Sequence, residues 1–213
     1  MKEELLRFKS KQKYIIFDYE TCDLNLASES NKPWQLSFIV ADLNKVYEKK
    51  DYYLKWKDLK LSEDAERITG FSRKVYDKKA ECPLGALMHF EKYLYDPEVI
   101  PVGHNILGFD VYIHNIHRKL CNKKSDYSYI KKSIDTNCLA KAAAESVKVP
   151  AGAERIAWQY TLNHFIKRGL KTSLQQCAKR YDIDFDSKKL HNALYDIELN
   201  YQVFKKQLWE VEI

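Results

Sequence analysis

The sequence predicts an α/β domain in which helices pack on a mixed sheet of five strands. Three observations support this prediction. Apolar runs rich in strand-forming residues occur in the first part of the chain, and apolar residues at helical spacing predominate in the remainder. One fully apolar run, Val99–Gly103, lies between helical segments. The 213 residues suit one domain spanning 1–213, with residues 1–12 as a short N-terminal extension.

The first part of the chain predicts antiparallel strands. Residues 14–18 (YIIFD), 35–41 (QLSFIVA) and 52–56 (YYLKW) are rich in aromatic and β-branched residues. Short polar segments containing Asn, Lys and Pro separate them, and connections this short favour antiparallel pairing.

Helical spacing predominates in the remainder. Leu84, Leu87, Phe90 and Leu94 recur near every third or fourth position, as on one face of a helix. Val99–Gly103 is the predicted fourth strand and residues 129–134 are a possible fifth. The predicted helices are residues 62–69, 83–95, 110–120, 136–145, 154–167, 173–181 and 192–208.

Composition indicates a globular protein outside membranes. Hydrophobic residues make up 45% and charged residues 31%, and no apolar run approaches the roughly 20 residues of a membrane helix. The charged N-terminus lacks the apolar region of a signal peptide, so we expect a cytoplasmic location. The five cysteines are scattered without a CxxC pair, which favours reduced thiols over disulfides or zinc.

The net charge of +6 is a weak indication of a nucleic-acid partner. Most of the recurring lysine doublets are expected to be solvated surface. Lys188-Lys189 is kept as an exception because it lies near His191.

Two carboxylates end the first predicted strand. Asp18 and Glu20 are two positions apart, so alternation places them on one face, about 7 Å apart along the strand. Two interpretations stay open from spacing alone: a strand end fraying into a polar loop, or half of a carboxylate site for divalent metal.

Further acids and a histidine occur later. Asp110 begins a predicted helix directly after the sequence GHNILGF, whose glycines allow sharp turns and close backbone approach. Asp110 would also interact favourably with the dipole of that helix, as an acid at any helix N-terminus does.

His191 and Asp196, five positions apart, would point roughly 140° apart on one helix. Asn192 is a good N-cap, however, so the helix can begin there and leave His191 in the preceding loop.

The motifs DYET, HNILGFD and HNALYD resemble, in order and spacing, the three motifs of the DEDDh exonucleases, which include proofreading subunits, ribonuclease T and oligoribonuclease. The segments LSEDAERITGF, SIDTNCLAKA and TSLQQCAKRYDI extend the resemblance over about residues 14–208. It implies a ribonuclease-H-like fold. It also implies four metal acids and a general base, namely Asp18, Glu20, Asp110, Asp196 and His191.

The resemblance also implies contacts to the last nucleotide by Thr21, Leu24 and Asn105. Asp23 departs from the glycine found in many relatives, so the loop there is expected to differ. Tyr19, Phe109 and Trp34 could stack on bases, although a core position is the favoured interpretation of each.

The implied activity is removal of nucleotides from a 3′ end with release of 5′-monophosphates, using two Mg²⁺ or Mn²⁺ ions. Oxygen ligands suit both metals, and His is suited to accept a proton near neutral pH. Single-stranded DNA or RNA is the expected partner, with a possible polymerase partner in trans. Two alternatives stay open: a non-catalytic nucleic-acid-binding or polymerase-associated module on the same fold, and an oligoribonuclease-like enzyme for very short RNA.

Overall fold

The computed structural model of the protein describes residues 5–213. Residues 1–4, the start of the predicted N-terminal extension, lie outside the described residues. Residues 5–12 pack against the end of the chain: Leu6–Phe8 form one turn of 3-10 helix, and the N–H of the buried Leu6 donates to the carbonyl of Ile213. Within residues 5–213, no helix is both long and apolar enough to cross a membrane.

Five strands form one sheet, which confirms the predicted mixed architecture. They are β1 (Lys13–Thr21), β2 (Pro33–Ala41), β3 (Val46–Tyr53), β4 (Val99–Gly103) and β5 (Ile134–Asp135). The strand order is β3-β2-β1-β4-β5. The first three strands pair antiparallel, whereas β4 runs parallel to β1 and β5 parallel to β4. Because β1 and β4 are parallel, their carboxyl ends meet at one edge of the sheet.

Eight α-helices are described between residues 5 and 213. Five of them begin at polar caps visible in the sequence, where a side chain accepts a hydrogen bond from the backbone N–H three residues later: Ser62, Ser72, Asp135, Ser173 and Asn192. The helices are α1 (Glu63–Thr69), α2 (Arg73–Lys79), α3 (Pro83–Leu94), α4 (Asp110–Leu120), α5 (Thr136–Glu145), α6 (Arg155–His164), α7 (Leu174–Arg180) and α8 (Ala193–Glu210).

Alternation along β1 sorts its side chains into two cores. Tyr14 and Ile16 pack in a cluster with residues of α5, α6 and α8. Ile15 and Phe17 pack on the opposite face with residues of α3 and α4. Asp18 and Glu20 lie on the same face of β1 as Tyr14 and Ile16, beyond the end of the apolar core. This is the face that α8 covers.

The predicted position of the third strand was wrong. The strand covers Val46–Tyr53 rather than residues 52–56, and Leu54 makes only an isolated bridge to Glu81. Because β3 is the edge strand, its side chains are exposed or half-buried, and its sequence VYEKKDYY lacks the apolar alternation of a strand with one buried face.

Three other elements differ from the sequence prediction. The helix α2 was not predicted, because its sequence RKVYDKK buries only Tyr76. Residues 129–134 are not one strand: Ser128–Lys132 form a 3-10 helix, and the two-residue β5 follows. The helix predicted for residues 154–167 ends at His164.

Candidate active site

A cleft of about 530 Å³ opens at the shared carboxyl edge of β1 and β4. One wall is α1, and the opposite wall comes from the loop after β4 and from the start of α8. All eight residues that the sequence analysis assigned to a site line this cleft: Asp18, Glu20, Thr21, Leu24, Asn105, Asp110, His191 and Asp196.

Three of the acids form a tight group. One carboxylate oxygen from each of Asp18, Glu20 and Asp196 lies within 4.8 Å of the other two, a spacing that could hold a metal ion. Oδ1 of Asp196 is buried and has no hydrogen-bond partner among the described residues. An unpaired buried carboxylate oxygen is costly, and a divalent cation is the partner that such a group of oxygens suits.

Asp110 faces the same cleft but is held differently. Its side chain is buried at the first turn of α4, and its Oδ1 accepts a hydrogen bond of 3.0 Å from the backbone N–H of Tyr19. This bond ties the start of α4 to β1, between Asp18 and Glu20 in sequence. Asp110 is therefore near the three-acid group without belonging to it.

Burial, and for two of the acids mutual repulsion, raises the pKa values of these carboxyl groups. Burial, followed by the charges of Asp110, Glu20 and Asp196, raises the pKa of Asp18 well above its ordinary value. Burial, followed by the charges of Asp196 and Asp110, also raises the pKa of Glu20 well above its ordinary value. The pKa values of Asp110 and Asp196 rise to about 7, mainly because both carboxyl groups are buried. Bringing four such groups together favours protons or cations in the cleft.

His191 lies in the loop before α8, as the N-cap argument predicted. Asn192 caps the helix by accepting a hydrogen bond from the N–H of Tyr195. His191 has a left-handed backbone, φ 64°, and its N–H donates to Oδ2 of Asp196 at 3.0 Å. The side chain is exposed and lines the cleft.

A buried acid that the sequence analysis did not assign holds the loop after β4. Asp135, fully buried, accepts hydrogen bonds from the backbone N–H groups of Asn105 and Leu107 and also caps α5 through Asn137 and Cys138. These contacts hold Asn105 at φ 64° on the wall of the cleft. The sequence signal was the Asp before a helix in SIDTN, which looks like an ordinary cap.

Gly103 is required by close packing at the end of β4. A Cβ atom there would lie 2.1 Å from Cγ2 of Ile106 and 2.9 Å from the carbonyl oxygen of Phe17. Both distances are too short for any side chain. The absence of a side chain therefore lets the end of β4 approach the strand that carries Asp18.

The loop after β1 has its own internal support. Buried Asn31 accepts a hydrogen bond from the N–H of Asp23 and donates one to the carbonyl of Asn25. Thr21 is buried, and its hydroxyl donates to the carbonyl of Asp23 at 2.6 Å. Leu24 is 82% exposed and lies over the cleft, where an apolar side chain is available to a ligand.

The aromatic candidates separate into two groups. Tyr19 and Trp34 are core residues, each 3% exposed, and the Tyr19 hydroxyl bonds Nδ1 of His117 at 3.2 Å. Because Nε2 of His117 must donate to the carbonyl of Pro83, Nδ1 is the acceptor for Tyr19. Phe109 is half-buried and lines the cleft.

His104 is a second histidine on the cleft. Its Nδ1 lies 3.0 Å from the hydroxyl of Thr136, and burial lowers its pKa to about 4. A ring with this pKa stays neutral at pH 7 and is a weak proton acceptor there. His104 therefore suits hydrogen bonding better than proton transfer.

Family membership follows from a match over most of the chain. A model of the exonuclease family named for ribonuclease T matches residues 15–204. The chain belongs to this exonuclease family. The matched range contains all three motifs of the site, and the resemblance to the DEDDh exonucleases is confirmed. No curated protein sequence matches the chain.

Solved structures of E. coli Exonuclease I share the fold of this exonuclease-family chain. The complex with a dA16 oligonucleotide superposes with a TM-score of 0.71 at 17% identity, covering 92% of this chain and 40% of that one. The complex with a dT13 oligonucleotide gives 0.70 at 18% identity, covering 92% and 41%. A zinc-bound form with single-stranded DNA gives 0.71 at 17% identity, covering 92% and 40%. The chain thus spans about two fifths of the length of these proteins.

Proposed function

We propose that this protein is a metal-dependent 3′–5′ exonuclease that acts on single-stranded nucleic-acid ends and releases nucleoside 5′-monophosphates. The observation that carries the proposal is the convergence of five side chains on one cleft from three separate parts of the chain: Asp18, Glu20, Asp110, His191 and Asp196. Family membership and the fold shared with Exonuclease I, whose complexes contain single-stranded DNA, support the same proposal.

The three-acid group and Asp110 are proposed to hold two Mg²⁺ or Mn²⁺ ions. The residues fit such ions because their oxygens are hard ligands, converge within 4.8 Å in the three-acid group, and include the unpartnered Oδ1 of Asp196. Bound divalent ions supply positive charge that offsets the charge of the phosphodiester and orients the reacting oxygens.

The protein groups have separate proposed tasks. His191, exposed on the cleft, accepts the proton of the attacking water. Its backbone N–H holds Asp196, so the base and a metal acid are fixed relative to each other. Thr21, Leu24 and Asn105 contact the terminal nucleotide, with Leu24 and Phe109 as the apolar surfaces on which a base can rest.

One degradation experiment tests this function. End-labelled DNA and RNA oligonucleotides of several lengths, from dinucleotides upward, are incubated with Mg²⁺ or Mn²⁺ and resolved by length. We expect stepwise shortening and 5′-monophosphate products. The length series separates a general exonuclease from an enzyme for very short RNA.

Blocked substrates test the direction of degradation. A blocked 3′ end should prevent shortening, whereas a blocked 5′ end should not. Degradation from the 5′ end, internal cleavage, or activity that persists in excess chelator would contradict the proposal.

A further inference from the structure

A second groove lies beside the active-site cleft. It has a volume of about 520 Å³ and runs between the end of α1 and residues 188–195, with Arg67, Lys188, Lys189 and Tyr195 among its lining residues. We call it the basic groove. It includes the lysine doublet that the sequence analysis singled out.

The basic groove continues the cleft. Ile68 and Thr69, at the end of α1, line both depressions. On the opposite side His191 lines the cleft, while its neighbours Leu190 and Asn192 line the groove. A chain leaving the cleft between α1 and the His191 loop therefore enters the groove directly.

The two depressions have opposite charge. The cleft contains the four metal acids together with Asp23 and Asp64. Among the described residues that line the groove, three are cationic and none is acidic. Repeated phosphates need positive charge wherever they lie outside a metal site, and the groove supplies it next to the cleft.

The cations of the groove are available to a ligand. Arg67 pairs with Asp64 at 2.8 Å and Lys189 with Asp186 at 3.9 Å, but the side chains of both pairs are largely exposed. Exposed pairs of this kind contribute little, so phosphate can replace the acid partner.

The lysine doublet is held in place by its backbone. Ser187–Lys189 form a 3-10 turn, and Asp186 caps its start by accepting a hydrogen bond from the N–H of Lys188. The N–H of Asp186 in turn bonds the hydroxyl of Tyr195 on α8 at 2.6 Å. The doublet is thereby tethered to the helix that carries Asp196.

We propose that the basic groove binds the phosphodiester backbone of single-stranded nucleic acid on the 5′ side of the nucleotides held in the cleft, with Lys188 and Lys189 as the phosphate contacts. This inference rests on the proposed function. It predicts that affinity depends on substrate length, because a dinucleotide fills the cleft without extending along the groove.

The test compares Lys188→Ala/Lys189→Ala with a charge-matched control, Lys123→Ala/Lys124→Ala. The control doublet follows α4, at the opposite end of that helix from Asp110. Binding of a dinucleotide and of a twelve-nucleotide oligothymidylate or oligouridylate is measured by fluorescence anisotropy in Ca²⁺, over a range of salt concentrations. Thermal melts establish that both variants are folded.

We expect the groove variant to bind the twelve-nucleotide strand roughly 3- to 30-fold more weakly, with a smaller loss for the dinucleotide. Loss of two phosphate contacts should reduce the slope of log K against log salt by about 1.4. The control should match the wild type. Equal losses for both lengths, an unchanged slope, or an equal loss in the control would overturn the inference.

The binding measurement is independent of turnover. If the wild type fails to shorten any oligonucleotide in Mg²⁺ or Mn²⁺, the proposed function fails, yet the anisotropy series still decides whether the groove binds nucleic acid. If the wild type degrades substrate and the groove variant binds both lengths as the wild type does, only the groove assignment fails.

Discussion

The backbone N–H of His191 donates a hydrogen bond to Oδ2 of Asp196 across the start of α8. The two residues therefore share a site although they would point apart on one helix. This bond leaves the imidazole of His191 free and the other oxygen of Asp196 unpartnered. The loop and the helix thus contribute different groups to the same cleft.

Replacing Asp18 should separate activity from stability. In Asp18→Asn we expect kcat to fall by at least about 10³-fold, because a proposed metal ligand in the cleft is lost. In chelator the same variant should melt about 2–6 °C higher, because the cost of burying the charged carboxylate, and then its repulsion with Glu20, Asp110 and Asp196, is relieved. Activity assays and thermal melts measure the two effects. Asp77→Asn, an exposed acid on α2, is the matched control.

The gain in Asp18→Asn should depend on pH. The pKa of Asp18 is raised in the folded protein, so the folded state binds a proton more tightly than the unfolded chain. The charged form therefore penalises folding increasingly as pH rises above the unfolded pKa of about 3.9. In chelator, the melting difference between variant and wild type should be larger at pH 8 than at pH 5. An equal difference at both pH values would contradict the raised pKa of Asp18.

Replacing His191 tests proton transfer. His191→Ala should lower kcat by about 10²–10⁴, and the loss should shrink as pH rises because hydroxide becomes available. Substrate affinity in Ca²⁺ should change little. The measurement is a pH–rate profile beside thermal melts, with His164→Ala, another exposed histidine, as the control. A lowered melting temperature with weaker binding and no rescue at high pH would indicate a structural role instead.

Asp135 should matter for both fold and site. Asp135→Asn places an amide among four backbone N–H donors, and we expect a loss of about 2–4 kcal/mol, or roughly 4–16 °C in melting temperature. Because Asn105 loses its support, KM for short substrates should rise. Asp184→Asn, an exposed acid, controls for the change of charge. Wild-type stability and KM in Asp135→Asn would refute the assignment.

The buried His117 should destabilise the protein in acid. Burial lowers its pKa to about 3, whereas the unfolded ring titrates near 6.5, so the unfolded chain takes up the proton first. Stability should therefore fall as pH drops below 6.5, by about 2 kcal/mol from this ring between pH 6.5 and 5. Denaturant unfolding at several pH values measures this effect, and the free energy of unfolding should depend less steeply on pH in His117→Gln than in the wild type. His164→Gln should keep the wild-type slope.

The placement of the candidate site residues was more predictable from the sequence than the contacts that support them. Asp18 and Glu20 could be placed on one face by strand alternation, and the Asn192 cap placed His191 in a loop. Asp135 could not be assigned from sequence alone, because its four hydrogen bonds join the loop after β4 to the start of α5, 30 residues away for Asn105. Nothing in a local pattern distinguishes such an acid from a simple helix cap.

The prediction of strands and helices from the sequence failed for the elements whose side chains are least buried. The edge strand β3 and the short helix α2 carry charged sequences, since their side chains face solvent and their positions are set by pairing and contacts with the rest of the domain. The central strands, buried on both faces, were all found: β4 had the predicted bounds, whereas β1 and β2 extend beyond the predicted residues 14–18 and 35–41. The adjacency of the basic groove to the cleft depends on how α1 and the His191 loop pack, which sequence spacing does not specify.

The hydrogen bonds of Asp135 imply that two segments lining the cleft, the loop after β4 and the loop before α8, open on different timescales. The amide hydrogens of Asn105 and Leu107 bond a fully buried carboxylate, so they should exchange with solvent only in large-scale openings of the domain. The amide of His191 lies in an exposed loop and should exchange through local openings. The loop that bears Asn105 is therefore expected to open only together with the folded core, whereas the loop that bears His191 is expected to open by itself.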